Sequence, residues 1–274
     1  MRRRGAAGAV LAMALVLAAG TVSPVAAAPL EAELVRAVAG GDRSEIEQAA
    51  RRMGVKRLLS ALRGTRRDLL YAALEAAPLA EVAWTLLPRL CELMVSPDRP
   101  LASGAARAAA RLSRRYGRDA LLREEAPPDE IAGIAVACAQ AAKKRQLWAD
   151  VRVNALDCAT ALASALGEDA PEAARDAPVL LLDDADAQVR RAAVELLSPP
   201  GADDIRRRLA GLARDPDASV AAAAVGALCS DDARVALRLL GVGGASRAAE
   251  LARSPGLDPG TLANLRPCLV RRRR

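Results

Sequence analysis

The chain has 274 residues with a formal net charge of +7; 52% are hydrophobic, yet only 1% are aromatic, with two Trp, two Tyr and no Phe. That length allows one or two domains with a sizeable core, and the core must be built from Ala, Leu and Val. His is absent, which excludes Ser-His-Asp and Cys-His nucleophile systems and imidazole zinc sites.

The charge lies at the ends. Arg2, Arg3 and Arg4 open the chain and Arg271, Arg272, Arg273 and Arg274 close it. Without these termini the body is neutral, and no basic surface argues for a nucleic-acid partner.

Residues 1–27 read as a signal peptide. Arg2 to Arg4 form a basic n-region, Gly8 to Ala19 an uncharged apolar h-region, and Val25-Ala26-Ala27 a small-residue cleavage site. The expected destination is the periplasm or the exterior. The alternative is an uncleaved anchor, because the uncharged run from Gly5 to Leu30 is long enough to span a bilayer.

From residue 28 to 270 the apolar spacing is helical and no stretch alternates as a strand would. Residues 31–62, with Glu45, Glu47, Arg51 and Arg52, suit an N-terminal cap. Pro88 is expected to kink a helix in the run from Leu79 to Val95. Residues 118–129, ending in Ala126-Pro127-Pro128, read as an extended connection. Helices are expected from Asp129 to about Arg145 and from Asp150 to Leu166, and Asp258 to Val270 as the final cap.

A repeat organises the C-terminal half. Asp186 to Leu197 lies over Asp217 to Leu228 without a gap at an offset of 31 residues, with Asp, Ala, Val and Leu recurring in register. Val151 to Leu156 is a weaker copy and Ala105 to Leu112 a weaker one again. A short amphipathic stretch precedes each copy, so the unit is helix, turn, helix. Asp186 and Asp217 are placed to cap helix starts.

The pattern Asp-x-x-Val-Arg-x-Ala-Ala at Asp186 to Ala193, copied at Asp217 to Val225, resembles the HEAT-repeat family, most clearly over residues 149–229. The second copy departs from it, with Ala221 at the Arg position. The resemblance implies an all-α fold, an α-solenoid of stacked antiparallel helix pairs, and a scaffold that binds a protein partner on its concave face. The length gives about six or seven pairs. Second helices line the concave face in that family, which makes Arg152, Asn154, Arg190 and Arg191 the partner-binding candidates. The alternative for Arg190 is a structural pair with Asp183, Asp184 or Asp186. Some proteins with similar repeats are bilin lyases or DNA glycosylases, which the neutral body and export signal disfavour. The arginine tail offers a peripheral membrane contact instead.

No catalytic, cofactor or metal site emerges. The pairs Asp183-Asp184, Asp203-Asp204 and Asp231-Asp232 sit at helix boundaries, where capping explains them. Gly241-Val242-Gly243-Gly244 follows a helix and not a strand, as an inter-helix loop would. Trp84 and Trp148 suit packing gaps or a partner anchor.

The five cysteines leave at least one unpaired. In a hairpin turning near Trp148, Cys138 and Cys158 are at equal height, about 15 Å from the turn. A bridge needs a Cα separation of about 4.4–6.8 Å, whereas helix axes usually lie about 8–10 Å apart. A Cys138–Cys158 bridge and two buried free thiols are both open, and Cys229 with Cys268 would staple the last cap.

Overall fold

The computed structural model describes residues 24–81, 83–241 and 243–270. Residues 1–23 of the expected signal peptide and the tail 271–274 lie outside them. No strand occurs among the described residues, and no helix among them is long and apolar enough to cross a membrane.

Fifteen helices follow one another among the described residues. They are α1 (Pro24–Gly40), α2 (Arg43–Arg63), α3 (Arg67–Ala76), α4 (Leu87–Met94), α5 (Arg99–Ser113), α6 (Arg118–Arg123), α7 (Pro128–Lys143) and α8 (Ala149–Leu166). Then come α9 (Glu172–Arg175), α10 (Ala177–Leu181), α11 (Ala187–Leu196), α12 (Asp203–Leu212), α13 (Ala218–Leu240), α14 (Gly244–Leu251) and α15 (Pro259–Val270). Non-helical backbone at Gly54 divides α2, and at Asp232 it divides α13.

The helices form an α-solenoid of stacked antiparallel pairs: α2/α3, α4/α5, α7/α8, α10/α11, α12/α13 and α14/α15. The second helices make one continuous layer. α3 packs on α5, α5 on α8, α8 on α11, α11 on α13, and α13 on α15. First helices touch their neighbours less, as where α4 meets α7. α1 closes the N-terminal end against α2 and α3, and its Leu34 is fully buried.

Alanine makes the second-helix layer possible. On α5, Ala102, Ala105, Ala106 and Ala109 have no exposed surface. Side chains this small let helix backbones approach, and the closeness recovers dispersion contacts that larger residues would otherwise supply. A Cβ built on Gly104 would stand 3.1 Å from Leu74 Cδ1, so α3 and α5 are already near their limit.

Local chemistry sets the helix ends. Asp186 Oδ1 accepts from Gln188 N–H at 2.8 Å, and Asp217 Oδ1 from Ser219 N–H at 2.9 Å, as the capping positions required. α11 and the start of α13 are therefore the two copies read from the sequence, one repeat apart.

Two expectations need correction. Pro88 kinks nothing: it sits in the first turn of α4, after a 3-10 turn over Ala83–Leu86. There its missing N–H is harmless and its fixed φ favours the helix. Residues 118–129 are not extended. They hold α6, which ends in a Schellman motif, with Glu125 at φ 51° and Ala126 N–H bonded to Leu121 O at 3.0 Å. Leu121 is buried, so this short helix is anchored by its apolar side. α7 then starts at Pro128, the double proline opening a helix where an interruption was expected.

Candidate functional site

The sequence candidates on the second helices fall into two groups. Arg152 is 3% exposed. Its guanidinium makes a two-pronged bond to Asp184 across the repeat boundary, and its Nε donates to Ala142 O at 2.9 Å. Arg190 does the same one repeat on: Nε and Nη2 donate to Asp215 at 2.8 Å each, and Nη1 to the carbonyls of Asp184 and Ala185. Both arginines are spent inside the chain and, as exposed binding residues, they are corrected to structural ones. Arg190 pairs as the structural alternative supposed, but with the carboxylate of Asp215 instead of Asp183, Asp184 or Asp186.

Asp184 and Asp215 are equivalent positions. Each lies two residues before a capping Asp and accepts its N–H, Asp186 N at 2.9 Å and Asp217 N at 2.8 Å. The turn Asp-x-Asp thus ties its own helix start and holds an arginine of the preceding repeat. Burial pulls the Asp184 pKa upward, but the Arg152 hydrogen bond, the Asp186 N–H and the Arg152 and Arg145 charges together hold it below its ordinary value. The signal lay in the sequence as the recurrence of Asp-x-Asp at the offset of 31, and was missed because only the capping member was read.

The other two candidates are more open. Asn154 bonds within α8, its Nδ2 donating to Asp150 O at 2.7 Å. Arg191, whose side chain is 32% exposed, pairs with Glu195 at 2.7 Å and with Asp258 at 2.6 Å. Asp258 also caps α15, accepting from Thr261 N–H and hydroxyl, and these bonds with the nearby Arg191 lower its pKa to about 2. Trp84 and Trp148 are half-buried against the core, and Arg99 lies 5.9 Å over the Trp148 ring.

A row of exposed cations in the second-helix layer lies elsewhere, along α5 and at its C-cap. Arg107, Arg111 and Arg114 recur at i, i+4 and i+7, so they form one stripe. Their side chains are 53%, 57% and 66% exposed. Glu75 of α3 pairs with Arg107 and Arg111 at 4.0 and 3.4 Å, and Asp157 of α8 accepts from Arg114 Nε at 2.9 Å. Burial raises the Asp157 pKa, and Arg114 opposes that rise. A groove of about 550 Å³ runs beside the stripe, lined by Arg43, Glu75, Arg111, Arg114 and Arg115. Arg115 is fixed there by the carbonyls of Pro78 and Ala80. These residues were passed over in the sequence because the copy at Ala105 to Leu112 is the least regular one.

The cysteines follow one alternative of the sequence reading. Cys138 and Cys158 meet across the α7–α8 hairpin but are free thiols, with Sγ atoms 2.9 Å apart, and Cys91 is free as well. The Cys138–Cys158 bridge is therefore corrected to a thiol contact. Cys229 and Cys268 are joined in a disulfide that fastens α15 to α13. No group of three or more His, Cys, Asp or Glu among the described residues is arranged to hold a metal ion.

No family model matches the chain, and no curated protein matches it. Among solved structures it is similar to an engineered protein at 20% identity, over 90% of this chain and 68% of that one, with a TM-score of 0.48. A structure described as the basis of microtubule plus end tracking by XMAP215, CLIP-170 and EB1 matches at 15% identity, over 80% and 91%, with a TM-score of 0.45. A designed armadillo repeat protein in complex with the peptide (KR)4 matches at 18% identity, over 88% and 98%, also at 0.45. On its own packing, the chain is an α-solenoid of stacked helix pairs.

Proposed function

We propose that the chain is an exported, non-enzymatic scaffold that holds an acidic segment of a protein partner along its second-helix layer. The observation that carries this reading is the α5 stripe. Three arginines stand more than half exposed beside a groove, sharing Glu75 and Asp157 as their carboxylate partners. Guanidinium groups in such a row suit carboxylates of an extended chain. The partner face thus moves from Arg190 and Arg191 toward Arg107, Arg111 and Arg114. Export is supported by the n-region, h-region and cleavage pattern of residues 1–27 and by the Cys229–Cys268 pairing, since disulfides persist in oxidising compartments.

Fluorescence anisotropy with a labelled glutamate-rich peptide tests the binding half. The expected result is salt-sensitive binding that Arg107→Glu with Arg111→Glu weakens by about tenfold or more. The same charge change at Arg234 and Arg238 on α13 is expected to leave it nearly intact. Equal losses in both double variants, or no binding at low salt, would overturn the assignment. Sequencing the N-terminus of protein from the cell envelope tests export, and a cytosolic chain still carrying Met1 contradicts it.

A further inference from the structure

We propose that Cys91, Cys138 and Cys158 form a thiol–disulfide exchange site whose substrate is a small-molecule disulfide. The three are the free cysteines of the chain and come from three helices, α4, α7 and α8. Cys91 Sγ lies 3.2 Å from Cys138 Sγ, which lies 2.9 Å from Cys158 Sγ. Each contact must close only about 1 Å to reach a bonded S–S distance of about 2.05 Å.

The trio has an outside and an inside. Cys138 and Cys158 have no exposed surface. Cys91 is half-buried and lines a groove of about 470 Å³ between α4 and α7, with Pro88, Val95, Ile134, Ala137 and Lys144 around it. A disulfide reagent entering this groove meets Cys91 first. The electrostatics point the same way. Hydrogen bonds from Cys138 and from Cys158 favour the Cys91 thiolate and place its pKa well below that of an ordinary thiol, against the opposing effect of burial. Cys138 is held well above it by its bond to Cys158, then by Cys91 and burial. The outer sulfur is therefore the nucleophile and the middle one the resolving thiol.

The chemistry balances with the small disulfide as the oxidant. The Cys91 thiolate attacks one sulfur of RSSR; the Cys91–SR bond forms, the RS–SR bond breaks, and RS⁻ leaves and takes up a proton. Cys138 loses its proton to solvent and attacks Cys91 Sγ, expelling a second RS⁻. The sum is RSSR plus two protein thiols giving one Cys91–Cys138 disulfide and two RSH, with two electrons passing to the reagent. Cys158 then attacks Cys138 Sγ and releases Cys91 as a thiol. The bridge moves inward to Cys138–Cys158, and no further oxidant is consumed.

The test uses the full chain, fully reduced, then exposed to oxidised glutathione near neutral pH, quenched with acid, alkylated and mapped by peptide mass. Bridges within the trio are expected. Cys91→Ala should slow loss of the Cys138 and Cys158 thiols by about tenfold or more, and Cys138→Ala should leave glutathione on Cys91 as a lasting mixed disulfide. Re-formation of Cys229–Cys268 in the same tube reports a competent oxidant. If that bridge returns while the trio stays fully alkylatable, the proposal is overturned. A Cys91→Ala chain oxidising at the parent rate, or a Cys91–Cys158 bridge forming at the parent rate in Cys138→Ala, overturns it too. Should a variant lose helicity, the parent chain still decides. A bulky maleimide must label Cys91 before the inner two, and the reverse order sinks the assignment.

Discussion

The repeats on either side of α6 treat arginine in opposite ways. In α8 and α11 the fourth residue after the helix cap is Arg152 or Arg190, each locked to an aspartate of the next turn. In α3 and α5 that position holds Leu70 and Ala102, both buried, and the turn before α5 has Ser96 where the later turns have Asp184 and Asp215. Ser96 Oγ still accepts the capping residue's N–H, at 3.2 Å, but offers no charge. The early repeats therefore join through alanine and leucine in the interior, and their arginines pair at the surface, as Arg107 and Arg111 do with Glu75. A ladder rung needs both the arginine and the aspartate one repeat on. Ala221 removes the arginine from α13, and the ladder ends there.

The largest effect expected is at a rung. Arg152→Ala strands the Asp184 carboxylate in the interior and should cost about 3–5 kcal/mol in denaturant unfolding, whereas Arg152→Met with Asp184→Leu should cost less than the single change. A double variant as damaged as the single one would break the contrast, because the pair would then owe its worth to more than mutual neutralisation. In the early repeats the equivalent blow is to packing: Leu112→Ala should cost about 2–5 kcal/mol. Removing the α13–α15 disulfide with Cys229→Ser and Cys268→Ser should cost about 2–4 kcal/mol, read as a lowered melting midpoint.

Acid should act mainly on the later repeats. Asp184 and Asp217 lie below the ordinary carboxylate value of 3.8, and Asp258 is lowered to about 2. A depressed folded-state pKa means stability that is complete above about 4 and is lost as pH falls toward 2. Melting midpoints followed through that range should fall in the parent chain and fall less steeply in Asp258→Asn. The smallest effect is on the α5 surface, where Arg107→Glu with Arg111→Glu should change stability by about 0.5 kcal/mol or less. A larger loss would make the stripe a structural element and weaken its reading as a docking face.

The same contrast explains how much was legible beforehand. Helix class, the repeat offset and the caps at Asp186 and Asp217 follow from patterns that are local in the chain. The antiparallel α7–α8 hairpin also placed Cys138 and Cys158 at equal height, and they do meet. What local pattern could not carry was the partner of a charge. Arg152 and Arg190 look like surface residues on a helix until the next turn is set beside them, since their aspartates are 32 and 25 residues away. Pro88 and Pro127-Pro128 were misread for a related reason. A proline ends one helix or opens the next, and only the neighbouring burial decides which.

The contact of Arg99 with Trp148 has an optical consequence. Arg99 opens α5, Trp148 stands immediately before α8, and the two meet at the seam where the alanine-joined repeats pass into the ladder. With two tryptophans and two tyrosines in the whole chain, emission is nearly a two-lamp signal, and Trp84→Tyr would leave one lamp lit at that seam. A cation over the indole face perturbs its excited state, so the colour and yield of Trp148 would report the parting of α5 from α8 separately from the loss of helix. The scarcity of aromatic residues thus makes the protein its own gauge of whether its two halves come apart before either unfolds.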